Sequence, residues 1–331
     1  MVATYDTKTD YKVVGKSPIR HDGLDKVTGR AVYGGDVKVP GLIWGDVIRS
    51  PHAHARIKSI DTSAAESMDG VFAVLTHADF PVADEREISA GEDVVNLKRD
   101  QANVMADDKV HYTGHVVAAV AAIDRNTAQE AANKIKVEYD VLTNVSDVDT
   151  AMAEDAPIIL ESLVGDHLGE DVPNTNIAKV FRHEFGDLEQ AFDRSDLVIE
   201  RTFSLSMIHQ GYIEPHNATA VWAEDGNITV WSSTQGSFGV RAQTAGMIGV
   251  PESRVKVNYV EIGGGFGGKT KVYLAPIAAL LSRKSGGRPV KLVMERTAVF
   301  EATGPAPGGK IRMKIGVTKE GKVTAADTDL I

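Results

Sequence analysis

One short loop constrains this chain more than any other stretch of it. Five of the six residues 263–268 are glycine, the sixth is Phe266, and Lys269 and Thr270 follow. Glycines allow backbone angles that a side chain would forbid. They also let N–H groups approach a ligand closely, and a helix N-terminus favours an anion. Apolar residues 272–281 predict a buried helix after the loop. The first hypothesis is therefore a bound anionic cofactor.

The loop matches two nucleotide-binding patterns as letters alone. Gly263, Gly265 and Gly268 fit GxGxxG, and Lys269 and Thr270 complete GxxxxGK[ST]. The first pattern expects an acidic residue about 20 positions later at a strand end, whereas the next candidate strand, residues 289–294, comes later. The second expects an α/β domain of order 100 residues after the loop, and too few remain. Both nucleotide interpretations are disfavoured, and an ordinary glycine turn stays open.

Composition removes several classes of function. The formal net charge is −10 and no basic block occurs, which disfavours nucleic acid and anionic membrane as partners. Cysteine is absent, so this chain supplies no disulfide, thiolate nucleophile or cysteine-ligated iron–sulfur cluster. Such a centre has to sit on a partner.

Apolar runs are too short for a membrane span. The longest, residues 116–123, is far below the roughly 20 residues that a spanning helix needs. Residues 1–10 are polar and lack the apolar core of a signal peptide, so a cytoplasmic location is expected.

The chain is long enough for two domains. We predict an extended lead-in over residues 1–19, an α/β domain over 20–145, a linker over 146–177 and a second domain over 178–331. In the first domain, strands are expected at residues 42–49, 70–76, 116–123 and 135–139, with a helix over 127–134 that Asn126 or Thr127 opens. The polar, acidic residues 81–108 are expected to form a long surface excursion.

The second domain has clear turn and strand signals. Residues 224–227, with the sequence EDGN, predict a hairpin between strands at 218–223 and 228–233. A helix is expected over 239–248, and alternation at Ile311, Met313, Ile315 and Val317 predicts a strand. The chain stops at Ile331 within another apolar strand, which is expected to be a cut or a boundary between subunits.

Histidines offer a further, weaker signal. His52 and His54 share one face if their segment is extended, but two ligands without a third do not make a metal site. Structural hydrogen bonding is therefore predicted for them. Glu214 and His216, with His209, also raise the possibility of a proton shuttle or a metal site.

Five sequence blocks occur in an order that resembles the molybdenum hydroxylases of the xanthine dehydrogenase and aldehyde oxidase family. The blocks are LDKVTGRA at residues 24–31, SPHAHARI at 50–57, EPH at 214–216, STQ at 233–235 and GGGFGGK at 263–269. The similarity runs from about residue 15 to the end of the chain. Five blocks in register are far more specific than a glycine pattern.

The resemblance implies a mixed α/β (α+β) fold, with an α/β hammerhead domain followed by the first part of a molybdopterin-binding domain. It implies a metal-binding oxidoreductase that hydroxylates its substrate with oxygen from water. Electrons would leave through the pterin to 2Fe-2S and FAD partner subunits. The cofactor would be molybdenum-molybdopterin, with the cytosine dinucleotide form usual for bacterial relatives. A further partner would be the C-terminal half of the molybdenum subunit.

The resemblance also implies site residues. Gln235 matches the glutamine that hydrogen-bonds an oxygen ligand of molybdenum, and Phe266 and Gly267 match positions beside the metal and pterin. The remaining cofactor-binding candidates are the other glycines of the loop, Gly264, Gly265 and Gly268. No residue of this chain is expected to ligate the metal directly. The segment with Glu214 and His216 is structural in the family and is left out of the site.

Two departures from the family pattern limit the function. Thr270 stands where purine-oxidising relatives carry a glutamate, so Thr270 is a candidate substrate residue and purines are disfavoured. The general base of the family is expected outside this chain. For Lys269, a phosphate contact and a plain charge at the loop edge stay open.

The favoured interpretation is one portion of a cytoplasmic multi-subunit hydroxylase that oxidises an aldehyde or N-heterocycle, with carbon monoxide also compatible. The alternatives are a catalytically silent scaffold and, less favoured, a dinucleotide-dependent enzyme. Neither nucleic acid nor membrane is expected as a partner.

Overall fold

The protein is described here by a computed structural model that covers residues 11–90 and 93–331. The prediction for residues 1–10 therefore lies outside the described residues. The fold is mixed α/β, as expected. Its strands are β1 Ile43–Arg49, β2 Ala55–Asp61, β3 Val71–Thr76, β4 Glu87–Ala90, β5 Asp93–Asn96, β6 Lys109–Val110, β7 Val116–Ala122, β8 Lys136–Val141, β9 Val164–His167, β10 Glu170–Pro173, β11 Lys179–Val180, β12 Leu197–Leu205, β13 Asn217–Trp222, β14 Ile228–Ser232, β15 Val255–Tyr259, β16 Val290–Val293, β17 Gly309–Val317 and β18 Val323–Leu330.

Short helices connect these strands. They are α1 Gly23–Val27, α2 Ser63–Glu66, α3 Leu97–Val104, α4 Arg125–Lys134, α5 Val148–Met152, α6 Leu188–Asp193, α7 Ser237–Met247, α8 Ala275–Lys284 and α9 Arg296–Ala302. Single 3₁₀ turns lie at Gly34–Asp36, His77–Asp79 and Glu252–Arg254. Within the described residues, no helix is both long and apolar enough to cross a membrane.

A seven-stranded sheet joins the two predicted domains. Its strand order is β15-β14-β13-β16-β1-β7-β3, so four strands from the second half lie beside three from the first. The junction is a short parallel pairing of β1 with β16, at Ile43 with Val290 and Trp44 with Lys291. Helix α8 packs on this sheet, and its residues from Ala275 to Ser282 are all buried. The boundaries at 145 and 178 stay a prediction, but the two halves share one core.

The hairpin and the alternating strand were predicted correctly. Strands β13 and β14 pair antiparallel around the EDGN turn, and β17 lies in a three-stranded antiparallel sheet in the order β12-β17-β18. Helix α4 also exists, but its N-cap is Asp124, whose carboxylate accepts from Thr127 N at 2.9 Å. The predicted N-caps Asn126 and Thr127 lie inside the helix. Asp124 caps better because its charged oxygen also favours the positive end of the helix.

The predicted surface excursion over residues 81–108 is wrong. This stretch forms the hairpin β4–β5 and helix α3, and Leu97 and Met105 are almost fully buried. Gln101 Nε2 donates to the carbonyl of Met247 at 2.7 Å, at the end of α7. Apolar positions spaced through a polar segment therefore attach the first half of the chain to the second.

The predicted linker over 146–177 is ordered. It contains α5, β9 and β10. Asn176 holds it together: its Nδ2 donates to the carbonyls of Ala151 and Pro157, and its Oδ1 accepts from Ile159 N.

Candidate cofactor site

The glycine loop follows β15 and lies apart from the start of α8. That helix begins at Ala275, and residues 271–274 separate it from Thr270. The expected helix N-terminus directly after the loop is therefore wrong. An anion at the loop would depend on the loop's own N–H groups instead of the helix dipole.

The loop backbone alternates into the left-handed region. The φ angles are +94° at Gly264, +53° at Phe266 and +88° at Gly267. A bulky residue rarely adopts positive φ, so Phe266 is held there by its surroundings. Its side chain is 73% exposed. Within the part of the chain that the structure describes, the N–H groups of Gly264, Gly265 and Phe266 have no hydrogen-bond acceptor. Consecutive free N–H groups of this kind bind anions.

Gln235 lies across the loop with a defined amide orientation. Its Oε1 accepts from Gly267 N at 3.0 Å and from Lys269 N at 3.1 Å. Because both neighbours are donors, the amide oxygen must face them. The Nε2 donor then points away from the loop, and the residue is exposed. Gln235 N also donates to Lys269 O at 3.0 Å, which fixes the backbone on both sides.

A buried ion pair supports the loop from below. Lys269 Nζ lies 2.9 Å from Glu214 Oε2, and the Lys269 side chain is fully buried. Glu214 Oε2 also accepts from Gly263 N at 2.7 Å and from the hydroxyl of Ser233 at 2.5 Å. Lys269 Nζ donates to Ser233 Oγ at 2.7 Å and lies 4.9 Å from the centre of the Tyr212 ring. Lys269 is thus neither a phosphate ligand nor a charge at the loop edge.

Hydrogen bonds favour the charged form of Glu214 despite its burial. Burial raises the pKa of Glu214, but the hydrogen bonds from Gly263 N, Ser233 and Lys269 outweigh it, so the net pKa lies below the ordinary glutamate value. For Lys269, burial is the largest influence and lowers the pKa, against the opposing effect of Glu214. A carboxylate that collects this many donors is a structural anchor, as the resemblance implied for the segment.

The first half of the chain reaches under the same loop. Gly34 N donates to Glu214 Oε1 at 3.3 Å, and Tyr33 forms an isolated parallel bridge with Glu261, which lies between β15 and the loop. Lys26 also forms an ion pair with Glu261. A Cβ on Gly34 would meet Asn217 Oδ1 at 1.7 Å, so only glycine allows this approach. Residues 32–36, which follow the LDKVTGRA block, therefore form a segment that supports the loop, here called the strap.

A directed chain of hydrogen bonds lies on the other side of Lys269. Thr303 Oγ1 donates to Val299 O at 2.7 Å, so it must accept from Tyr212 Oη at 2.9 Å. Tyr212 Oη in turn accepts from His216 Nε2 at 2.7 Å. His209 Nε2 also donates to Thr303, because its Nδ1 accepts from Gly211 N. Both imidazoles are neutral structural groups in this arrangement.

The buried His216 makes stability depend on pH. Burial, followed by the charge of Lys269, lowers the pKa of His216 to about 3 from 6.5. The unfolded chain therefore binds a proton below pH 6.5 that the folded chain does not, so stability falls as the pH drops towards 3. From pH 7.5 to 5 this one group is expected to cost about 2 kcal/mol. Urea unfolding should show that the loss in the wild type exceeds that of His216→Gln by this amount; equal losses would contradict the assignment.

The remaining candidates have clear locations. Gly268 N donates to Gly265 O at 2.8 Å, and the Thr270 hydroxyl donates to Gly267 O at 3.0 Å, so both close the loop. His54 lies far along the chain and makes the predicted structural bond, from Nδ1 to Thr143 O at 2.6 Å. In residues 11–90 and 93–331, no group of three or more potential ligands could hold a metal ion.

Gln235 and all the predicted loop residues are thus brought together. Sequence reasoning missed the support beneath them, namely Lys269, Ser233 and the strap at Gly34. One signal was available: Glu214 and Lys269 are opposite charges within two of the five blocks. Their pairing across 55 residues could not be read from the sequence.

Family models agree with the two-part organisation. Residues 28–143 match the model described as "Aldehyde oxidase and xanthine dehydrogenase, a/b hammerhead domain", and residues 168–331 match "Molybdopterin cofactor-binding domain". These matches define a hammerhead domain joined to a molybdopterin cofactor-binding domain. The chain belongs to the xanthine dehydrogenase and aldehyde oxidase family of molybdenum hydroxylases.

Relatives match nearly all of this chain. The large molybdopterin subunit of nicotinate dehydrogenase from Eubacterium barkeri is 33% identical over 97% of this chain and 70% of that relative. A carbon monoxide dehydrogenase large chain from Afipia carboxidovorans is 34% identical over 90% of this chain and 36% of its own length. A structure of reconstituted CO dehydrogenase from Oligotropha carboxidovorans superposes with a TM-score of 0.81 and 32% identity over 96% of this chain and 39% of that chain.

Proposed function

We propose that this chain holds one wall of the molybdenum cofactor site in a multi-subunit hydroxylase that oxidises an aldehyde or an N-heterocycle. The observation that carries the proposal is the orientation of Gln235. Its oxygen accepts from Gly267 N and Lys269 N, which leaves its Nε2 free to donate, and the N–H groups of Gly264, Gly265 and Phe266 in the same loop also have no acceptor among the described residues. In the described part of the chain, Gln235 Nε2 and these three N–H groups are donors without an acceptor, which suits an anionic group with oxo ligands.

When bound, the molybdenum cofactor supplies the redox chemistry of hydroxylation, with water as the oxygen source. The chain's own residues bind and orient it. Gln235 would donate through Nε2 to an oxygen ligand of the metal, and the free N–H groups would hold anionic parts of the cofactor. Phe266, in its left-handed conformation, would exclude water from one side. The cytosine dinucleotide form of the pterin is part of the proposal.

Partners complete the proposed enzyme. The names of the relatives, "large molybdopterin subunit" and "large chain", support an assembly of several chains. Because several relatives are more than twice as long as this chain, we assign the general base to polypeptide outside it. Electrons would pass to 2Fe-2S and FAD subunits, since this chain has no cysteine. Thr270 lies at the loop edge as the candidate substrate residue.

The proposal is tested by molybdenum content. Elemental mass spectrometry on the complex isolated with its native partners should give close to one molybdenum per copy of this chain. A complete complex without molybdenum would overturn the cofactor assignment and favour the scaffold interpretation.

Replacing Gln235 with glutamate tests the role of the amide nitrogen separately from that of the amide oxygen. The carboxylate still accepts from Gly267 N and Lys269 N, but the outward donor is lost. We expect molybdenum and assembly to be kept while turnover falls by about 10²- to 10³-fold, as for removal of one preorganised donor. Unchanged turnover in Gln235→Glu would contradict a role for Nε2.

A further inference from the structure

One buried lysine makes none of the loop contacts described above. Lys291 lies on β16 and is 3% exposed, although lysine is almost never fully buried unless it is paired. Among the described residues, no carboxylate forms an ion pair with its ammonium. Burial, the largest influence, lowers the pKa of Lys291, and the charge of Asp36 opposes this effect. A charge buried without a partner lowers stability, so packing alone does not explain this lysine.

The contacts of the Lys291 ammonium lead to the first half of the chain. Its Nζ donates to the carbonyl of Gly35 at 2.8 Å and lies 5.3 Å from the centre of the Trp44 ring. Trp44 is also its neighbour in the register of β1 with β16. An ammonium carries three donors and no acceptor. Within the part of the chain that the structure describes, Gly35 O is the acceptor that this ammonium has.

Gly35 belongs to the strap, which supports the cofactor loop. The preceding residue, Gly34, donates through its N–H to Glu214 Oε1 at 3.3 Å, next to the carbonyl that Lys291 holds. Glu214 Oε2 then accepts from Gly263 N at 2.7 Å, at the start of the loop. The bond from Gly34 is longer than the usual value of about 2.9–3.0 Å. A small displacement of the strap is therefore enough to break it.

We infer that Lys291 is a positioning residue for the cofactor loop. Its ammonium fixes the carbonyl of Gly35, the strap then holds Gly34 N against Glu214, and Glu214 holds the first N–H group of the loop. The buried charge is retained for this contact despite its cost in stability. Its importance for cofactor binding rests on the proposed function, whereas its hold on the loop depends only on these contacts.

A different task for the same lysine would be to join β1 to β16 through the Trp44 ring. The pairing of these two strands is short, and the bond from Ile43 N to Pro289 O at 2.8 Å lies at its start. The two tasks predict different responses when the ammonium is removed. Loss of the strap contact frees the amides of Gly34 and Gly263, whereas loss of the junction frees the amide of Ile43.

Amide-resolved hydrogen exchange of the full chain in its native complex distinguishes these tasks. Lys291→Met keeps an unbranched side chain but removes the donor and the charge. Exchange at Gly34 and Gly263 is expected to become at least about tenfold faster, while exchange at Ile43 stays unchanged. Faster exchange at Ile43 with unchanged exchange at Gly34 would assign the lysine to the sheet junction and overturn the inference.

Urea unfolding separates positioning from a general structural role. The midpoint for Lys291→Met is expected to be no lower than that of the wild type, because methionine removes a buried charge and Gly35 is exposed to water. A lower midpoint, with exchange raised alike at all three amides, would overturn the inference. The control is Lys256→Met, on an exposed lysine of β15 in the same sheet, which should leave all three amides unchanged.

A second substitution tests the donor itself. Lys291→Arg keeps N–H donors for Gly35 O and should return exchange at Gly34 and Gly263 to within about threefold of the wild-type rate. Exchange as fast as in Lys291→Met would overturn the inference. Molybdenum content separates it from the proposed function. A complete complex without molybdenum in which Lys291→Met still loosens the strap defeats only the function, and a molybdenum-containing complex in which it does not defeats only the positioning role.

Discussion

Replacing Lys269 with methionine is expected to lower the free energy of unfolding by about 3–5 kcal/mol, the usual cost of removing one partner from a buried ion pair. Methionine fills the space of the aliphatic chain but leaves the Glu214 carboxylate without its cation. Glu214 is only 10% exposed, so water cannot replace the lost partner. Urea unfolding at pH 7.5 measures the change.

An exposed pair of the same kind provides the control. Lys98 lies 2.7 Å from Glu85, but both side chains are more than half exposed. Lys98→Met should leave the stability almost unchanged, because solvent screens an exposed pair. Equal effects of the two substitutions would show that the Lys269–Glu214 pair contributes no more to stability than an exposed pair.

The loss of unfolding free energy in Lys269→Met, called the deficit here, should depend on pH, which gives a further check. In the wild type, the folded pKa of Glu214 is depressed, so its contribution is present above pH 4.5 and is lost as the pH falls through the folded value. Without Lys269, the folded pKa must rise, and protonation then removes the uncompensated charge. The deficit should therefore shrink as the pH falls towards 4. The double variant Glu214→Gln with Lys269→Met should also be more stable than Lys269→Met alone.

Local signals in the sequence were sufficient for most elements of the fold. The EDGN turn fixed the β13–β14 hairpin, and period-two alternation fixed β17. These predictions work because turn chemistry and side-chain alternation depend on neighbouring residues only. The prediction for the segment that contains α3 was wrong for the same reason. Long-range contacts, such as Gln101 with Met247, hold this polar segment against the core, and composition does not record them.

The sequence predicted which residues belong to the candidate site but not how they are arranged. The resemblance selected Gln235 and the loop, but the direction of the Gln235 amide depends on two N–H groups more than 30 residues away. The role of Lys269 was missed because a lysine after a glycine loop suggests phosphate binding. Three-dimensional packing instead turns it beneath the loop, towards Glu214. The strap at Gly34 was equally hidden, since its contact with Glu214 spans 180 residues.

Replacing Gly265 with alanine is expected to displace Gln235 and to reduce turnover of the assembled enzyme by about 10²- to 10³-fold, as for loss of a preorganised donor. An added Cβ would lie 2.5 Å from Gln235 Oε1 and 2.7 Å from its Cδ. Contacts this close do not occur, so the amide must move and give up its bonds to Gly267 N and Lys269 N. The φ of Gly265 lies outside the left-handed region, which makes the effect steric and not a matter of backbone strain.

Two measurements distinguish this displacement from general damage. Hydrogen exchange at the amides of Gly267 and Lys269 should become at least about tenfold faster when their acceptor leaves, and this holds with or without bound molybdenum. The control is Gly236→Ala, one residue from Gln235, where an added Cβ meets nothing within 4 Å and φ is an extended −156°. It should leave turnover and exchange at both amides unchanged. Normal exchange in Gly265→Ala would mean that the loop tolerates the methyl group and that the amide orientation is less constrained than these contacts indicate.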